Sequence, residues 1–108
     1  MKNNTVLASG FLWLGLILSS SVFAQSEDEQ GKQLFTQKAV PACAFCHSLK
    51  HADSMAESGP DLDSLQPDAK TIENAIRHGK GDMPAIKGLS EEEIKVLVGY
   101  LQRVAGKS

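Results

Sequence analysis

Cys43-Ala44-Phe45-Cys46-His47 decides how the rest of this chain is read, because it contains both cysteines of a 108-residue sequence. C-x-x-C-H is the spacing at which a polypeptide attaches haem c. Two thiols add across the two vinyl groups of the porphyrin as thioethers, and a histidine directly after the second thiol can turn under the iron as an axial ligand. Cys43 and Cys46 are therefore read as the covalent tethers and His47 as the proximal ligand.

Other uses of the same residues are less consistent with their surroundings. A thiol redox pair of the thioredoxin type opens a helix after a buried strand, and no β-branched run precedes Cys43. A zinc site drawn from Cys43, Cys46, His47 and His51 crowds its ligands too closely for the usual two-knuckle spacing. A disulfide between Cys43 and Cys46 closes so short a loop that it adds little entropic stabilisation.

Upstream of the motif, residues 1–24 read as a secretory signal peptide. Lys2 forms a minimal basic region, Phe11 to Leu18 an apolar core, and Val22-Phe23-Ala24 a small-residue cleavage site. The apolar run is short for a membrane-spanning helix. Cleavage after Ala24 leaves residues 25–108 as one domain in the periplasm, where haem c is attached, and the membrane is met only through the leader if it stays uncut.

The formal net charge is −2, with Lys2 in the leader, so the remainder is slightly more acidic still. That balance excludes a nucleic-acid binder. The hydrophobic fraction of 42 % overstates the core, because the leader holds much of it, including the single Trp. A domain this small buries a modest core on its own, and a covalently held haem adds to it.

Downstream of the leader the pattern is helical throughout, with no strand signal, so the fold class is all-α. Ser26 is a candidate N-cap for a helix over 28–38, with Gly31, Leu34 and Phe35 on one face. A glycine inside a helix costs about 1 kcal/mol relative to alanine, which marks Gly31 as a point of close approach. Val40-Pro41-Ala42 ends that helix, and the stretch after the motif to Ser58 reads as a loop. Gly59-Pro60-Asp61-Leu62 is a turn signature. Pro67 opens a helix running to His78, with Ile72, Ala75 and Ile76 inward and Gly79 as its stop. Ser90 and Glu93 form a capping box for a last helix bearing Ile94, Leu97, Val98, Leu101 and Val104 at helical spacing.

A haem that only carries electrons needs a second axial ligand, and methionine sulfur raises the reduction potential. Met55, Met83, His51 and His78 are the candidates. Met83 is favoured because it sits between Gly81-Asp82 and Pro84, on an irregular loop able to wrap the far face. His78 as the ligand, or an open site, remain alternatives.

Taken together these motifs resemble, in order and over the whole of residues 25–108, the small single-haem class I c-type cytochromes. Gly31 and Phe35 are similar to the glycine and aromatic of that family's N-terminal helix, and Leu97, Tyr100 and Leu101 to the positions of the C-terminal helix that crosses it. The resemblance implies a small cytochrome c-like fold of three to four helices around one covalent haem c. It implies that the Pro60 carbonyl accepts a hydrogen bond from the His47 ring, that Leu62 packs on the haem, and that Met83 is the distal ligand. Many relatives bind a haem propionate through a Trp or Tyr. Here Tyr100 belongs to the helix crossing, so Lys80, Lys87 or backbone amides are the candidates.

Gly59-Pro60-Asp61-Leu62, Arg77-His78-Gly79 and Gly81-Asp82-Met83-Pro84 are together similar to cytochromes serving periplasmic dehydrogenases, including sulfite dehydrogenases. The expected role is that of a one-electron carrier, not an enzyme, shuttling between a donor dehydrogenase and an acceptor such as a terminal oxidase. The expected state is a monomer or a subunit of a transient complex. A peroxidase-like or ligand-binding haem, with the methionine labile or absent, is the alternative.

Overall fold

Four helices and one short hairpin make up the described part of the chain in the computed structural model, which covers Gly15 and residues 22–107. Most of the expected signal peptide, including its basic and apolar regions, lies outside the described residues.

The first helix, α1 (Val22–Gln33), continues through a five-residue π-helical turn, Leu34–Lys38. Its start differs from the sequence expectation: the helix begins at Val22, ahead of Ser26. The apolar face is as expected, with Leu34 and Phe35 buried. Gly31 is buried too, and a Cβ placed on it would overlap the Tyr100 side chain. The glycine thus lets α1 lie directly on the last helix, α4 (Glu91–Val104).

Residues after the attachment motif form structure where a loop was expected. Strand β1 (Ser48–Leu49) pairs antiparallel with β2 (Ser54–Met55). A 3₁₀ turn, Lys50–Ala52, joins them. Two-residue strands are too short to leave an alternating pattern, which is why the sequence gives no strand signal.

Asp61 then caps a single-turn helix, α2 (Leu62–Leu65), by accepting from the Asp63 amide at 3.2 Å. It also accepts from Ser64 at 2.7 Å and Ser48 at 2.9 Å. Asp63 accepts from the backbone amides of Lys50 and Gly106, both at 2.8 Å, and so joins the hairpin to the C-terminus.

Helix α3 (Ala69–His78) begins two residues later than expected. Its N-cap is Asp68, whose carboxylate accepts from the Thr71 amide at 2.7 Å, so Pro67 precedes the cap and is not the first helical residue. Ile72 and Ile76 are buried as expected. Gly79 ends the helix at φ 77° and ψ 173°, a combination essentially restricted to glycine.

The loop that follows is tightly held. Lys80 and Met83 exchange two backbone hydrogen bonds of 2.9 Å around Gly81 and Asp82. The Ile86 amide then returns to the Ile76 carbonyl at 2.8 Å, fastening the loop to α3. Val40 and Lys87 also exchange backbone bonds, at 3.0 and 2.8 Å, which ties the end of the π-helical turn to the far side of this loop.

On α4 the capping box is complete, with Ser90 accepting from the Glu93 amide at 3.1 Å and Glu93 accepting from the Ser90 amide at 2.9 Å. Ile94, Leu97, Tyr100, Leu101 and Val104 are buried. The most deeply buried large side chains are Phe35, Leu49, Leu97 and Tyr100. The core therefore sits where α1 crosses α4, with α3 closing one side and the hairpin another. No described helix is long and apolar enough to cross a membrane.

Candidate functional site

A cavity of about 360 Å³ opens between α2, α3, α4 and the attachment motif. Its walls are mostly apolar, formed by Phe35, Leu62, Ile72, Ile76, Leu97 and Leu101. Cys43, His47, Pro60 and Met83 line it as well, so residues far apart in sequence converge on one space. Cofactor pockets of roughly 300–1,000 Å³ with apolar walls and few polar groups are the norm.

The two cysteines face different surroundings. Cys43 is buried and Cys46 exposed, and no disulfide joins them. Burial pushes the Cys43 thiol up to about 11, so at neutral pH it is protonated. A 3₁₀ turn over Cys43–Phe45 sets their spacing, and the His47 amide returns to the Cys43 carbonyl at 2.9 Å.

His47 is held from its far side. Its Nδ1 donates to the Pro60 carbonyl at 2.8 Å, since a carbonyl can only accept. The bond assigns the ring proton to Nδ1 and leaves the Nε2 lone pair free, the tautomer a metal ligand needs. The Gly59 amide supports this arrangement by donating to the Cys46 carbonyl at 2.7 Å. A Cβ on Gly59 would stand 3.0 Å from the His47 ring, so a larger residue would push on the imidazole.

Ser54 ties the hairpin to the same loop. Its hydroxyl lies 2.7 Å from the His47 carbonyl and 3.2 Å from that of Ala44. Neither Ser54 nor Asp63 stands out in the sequence, since Ser and Asp are common in any polar loop, and Asp61 reads there only as part of the Gly59-Pro60-Asp61-Leu62 turn.

The other candidate ligands are elsewhere. Met55 is 87 % exposed on β2, outside the cavity lining. His51 instead meets the buried Tyr100 hydroxyl, Nδ1 to O at 2.9 Å. His78 lines a separate shallow recess beside α3. Lys80 lines the cavity and Lys87 does not.

Among the described residues, no three His, Cys, Asp or Glu side chains converge as a metal site, so the zinc alternative has no geometry behind it. One histidine and one thioether facing an apolar space, with a cysteine at its border, form instead a donor set that suits an iron porphyrin.

Comparison with known proteins gives the family. The family model described as cytochrome C oxidase, cbb3-type, subunit III matches residues 26–101, most of the described chain. The chain belongs to the c-type cytochromes. Its fold matches the crystal structure of the c-type cytochrome SorU from Sinorhizobium meliloti, with a TM-score of 0.72 and 40 % identity over 77 % of this chain and 95 % of that one. A cytochrome c6 of Cyanidium caldarium is 24 % identical over 99 % of this c-type cytochrome and 98 % of its own length. The mostly helical, cytochrome c-like fold expected from the sequence is thereby established, and the cytochrome belongs to a family of haem-based electron carriers.

Proposed function

We propose that this cytochrome is a one-electron carrier of the periplasm, holding one covalent haem c between His47 and Met83. When bound, the haem supplies an iron that alternates between the ferric and ferrous states. The observation that supports the reading is that His47 and Met83 line one apolar cavity bordered by Cys43.

Each residue has a distinct task. Cys43 and Cys46 tether the porphyrin through thioethers. His47 offers Nε2 to the iron, and the Pro60 carbonyl, 2.8 Å from Nδ1, keeps the imidazole in the correct tautomer and strengthens it as a donor. Met83 offers its thioether, which favours the reduced state. Leu62 and its apolar neighbours exclude water from the ring. Two backbone bonds in the Lys80–Met83 turn and the Gly79 stop hold the methionine loop in one geometry, which suits a carrier that must change little on reduction.

Export depends on residues 1–24 acting as a cleaved leader, with the domain beginning at Gln25. Exchange takes place at the exposed border near Cys46, through a contact of less than about 1,200 Å², typical of redox encounters. The similarity of three of its motifs to cytochromes serving sulfite dehydrogenases makes such an enzyme the donor to test first. A terminal oxidase is the expected class of acceptor.

Optical spectroscopy tests the ligation. The ferric protein is expected to show a weak far-red charge-transfer band from thioether to iron, absent in Met83→Ala. A high-spin ferric spectrum in the unaltered protein would overturn the reading in favour of an open, peroxidase-like haem. Haem staining on a denaturing gel tests the covalent tether, and the mass of the exported protein tests cleavage after Ala24.

A further inference from the structure

A haem brings two propionate carboxylates, and burying a carboxylate without a partner is costly. Apart from the expected tethers and ligands, only Thr71 and Lys80 contribute polar side chains to the cavity lining. Thr71 is already engaged. Its backbone N–H donates to the Asp68 carboxylate at 2.7 Å, so an anion placed beside it would meet that carboxylate's negative charge.

Lys80 differs on both counts. Among the described residues its ammonium takes part in no ion pair, as is true of Lys50, Lys70, Lys87 and Lys107, but of these only Lys80 lines the cavity. It also stands where the cavity meets the recess lined by Asn74, His78 and Gly79, a boundary between apolar walls and polar surface. The root of its side chain is fixed by the two 2.9 Å backbone bonds to Met83.

We propose that Lys80 anchors a haem propionate: its ammonium, at the boundary between cavity and recess, pairs with one carboxylate and sets that edge of the ring toward the recess. The assignment rests on the haem reading above. It gives Lys80 the part that a Trp or Tyr plays in many relatives, and it couples the propionate to the loop bearing Met83. A lysine paired with a propionate also stabilises the electron-rich reduced state by Coulomb attraction.

The test uses the holoprotein and the variants Lys80→Gln, Lys80→Arg and Lys87→Gln. Lys80 is exposed, so its replacement does not disturb the core. Lys87→Gln removes the same charge from the far side of the same loop, outside the cavity lining. Covalent haem is first verified by pyridine haemochrome; its absence would refute the haem reading itself, whatever Lys80 does. With haem present, the propionate-bending band in the resonance Raman spectrum is expected to shift in Lys80→Gln, return in Lys80→Arg and stay in place in Lys87→Gln. The reduction potential is expected to fall further in Lys80→Gln than in Lys87→Gln. A propionate band unmoved in Lys80→Gln, or moved equally by Lys87→Gln, would overturn the assignment.

Discussion

Gly31 lies directly against the Tyr100 side chain where α1 crosses α4, with no room for a Cβ between them. Two effects oppose each other in Gly31→Ala. Helix propensity favours alanine by about 1 kcal/mol. Overpacking a fully buried ring that cannot move aside costs about 1–3 kcal/mol and can cost more. Tyr100 is 0 % exposed, so the clash is expected to win. Urea denaturation should show a net loss of stability, and a gain would mean that the helices can separate freely.

His51 and Tyr100 form the next testable pair. Tyr100→Phe removes the hydroxyl but leaves an exposed imidazole that water can satisfy, so the expected loss is about 0.5–1.5 kcal/mol. His51→Ala leaves the hydroxyl inside the protein without its partner, and about 1–3 kcal/mol is expected. The double variant should lose less than the sum of the two. Strict additivity in a double-mutant cycle would show that the 2.9 Å contact contributes nothing.

Acid should weaken the fold through its capping carboxylates. Hydrogen bonds from Ser64 and then Ser48 hold the Asp61 carboxyl below its ordinary value, and Lys38 and then the Ser90 amide do the same for Glu93. Depressed values of this kind add stability that is present above the ordinary carboxylate range and is lost as pH falls through the folded-state values. Stability is therefore expected to be level near neutrality and to decline from about pH 4 downward. The paired variant Asp61→Asn with Glu93→Gln should flatten that decline in thermal melts taken across the acid range. A slope identical to that of the unaltered protein would count against these two groups.

Gly79→Ala addresses the methionine loop. Glycine alone is comfortable at φ 77° and ψ 173°, and a Cβ there would also press on the Met83 carbonyl. Backbone strain of this type costs about 1–3 kcal/mol. Under the proposed ligation the variant should lose part of its far-red band along with its stability. A melt that falls while the band stays intact would separate loop strain from ligation.

What the sequence revealed follows the range of the interactions involved. Gly31, Phe35, Ile72, Ile76 and the Ser90 capping box were legible because helical spacing and capping chemistry repeat within a few residues. The hairpin was not, since Ser48–Leu49 and Ser54–Met55 are too short to show a period. Ser26 and Pro67 were misplaced by a few residues because helix ends depend on local competition, and at α3 the carboxylate of Asp68 captured the Thr71 amide first. The Asp63 contacts to Lys50 and Gly106, and His51 meeting Tyr100, join distant segments, and no local pattern encodes them.

The unequal exposure of the two cysteines has a kinetic consequence. Cys43 faces the core and Cys46 faces solvent, so the proposed haem meets other proteins at its Cys46 edge. A donor and an acceptor that both dock at that edge must use it in turn. Turnover should follow an alternating scheme, with each partner acting as a competitive inhibitor of the other, and no three-protein complex should carry electrons straight through.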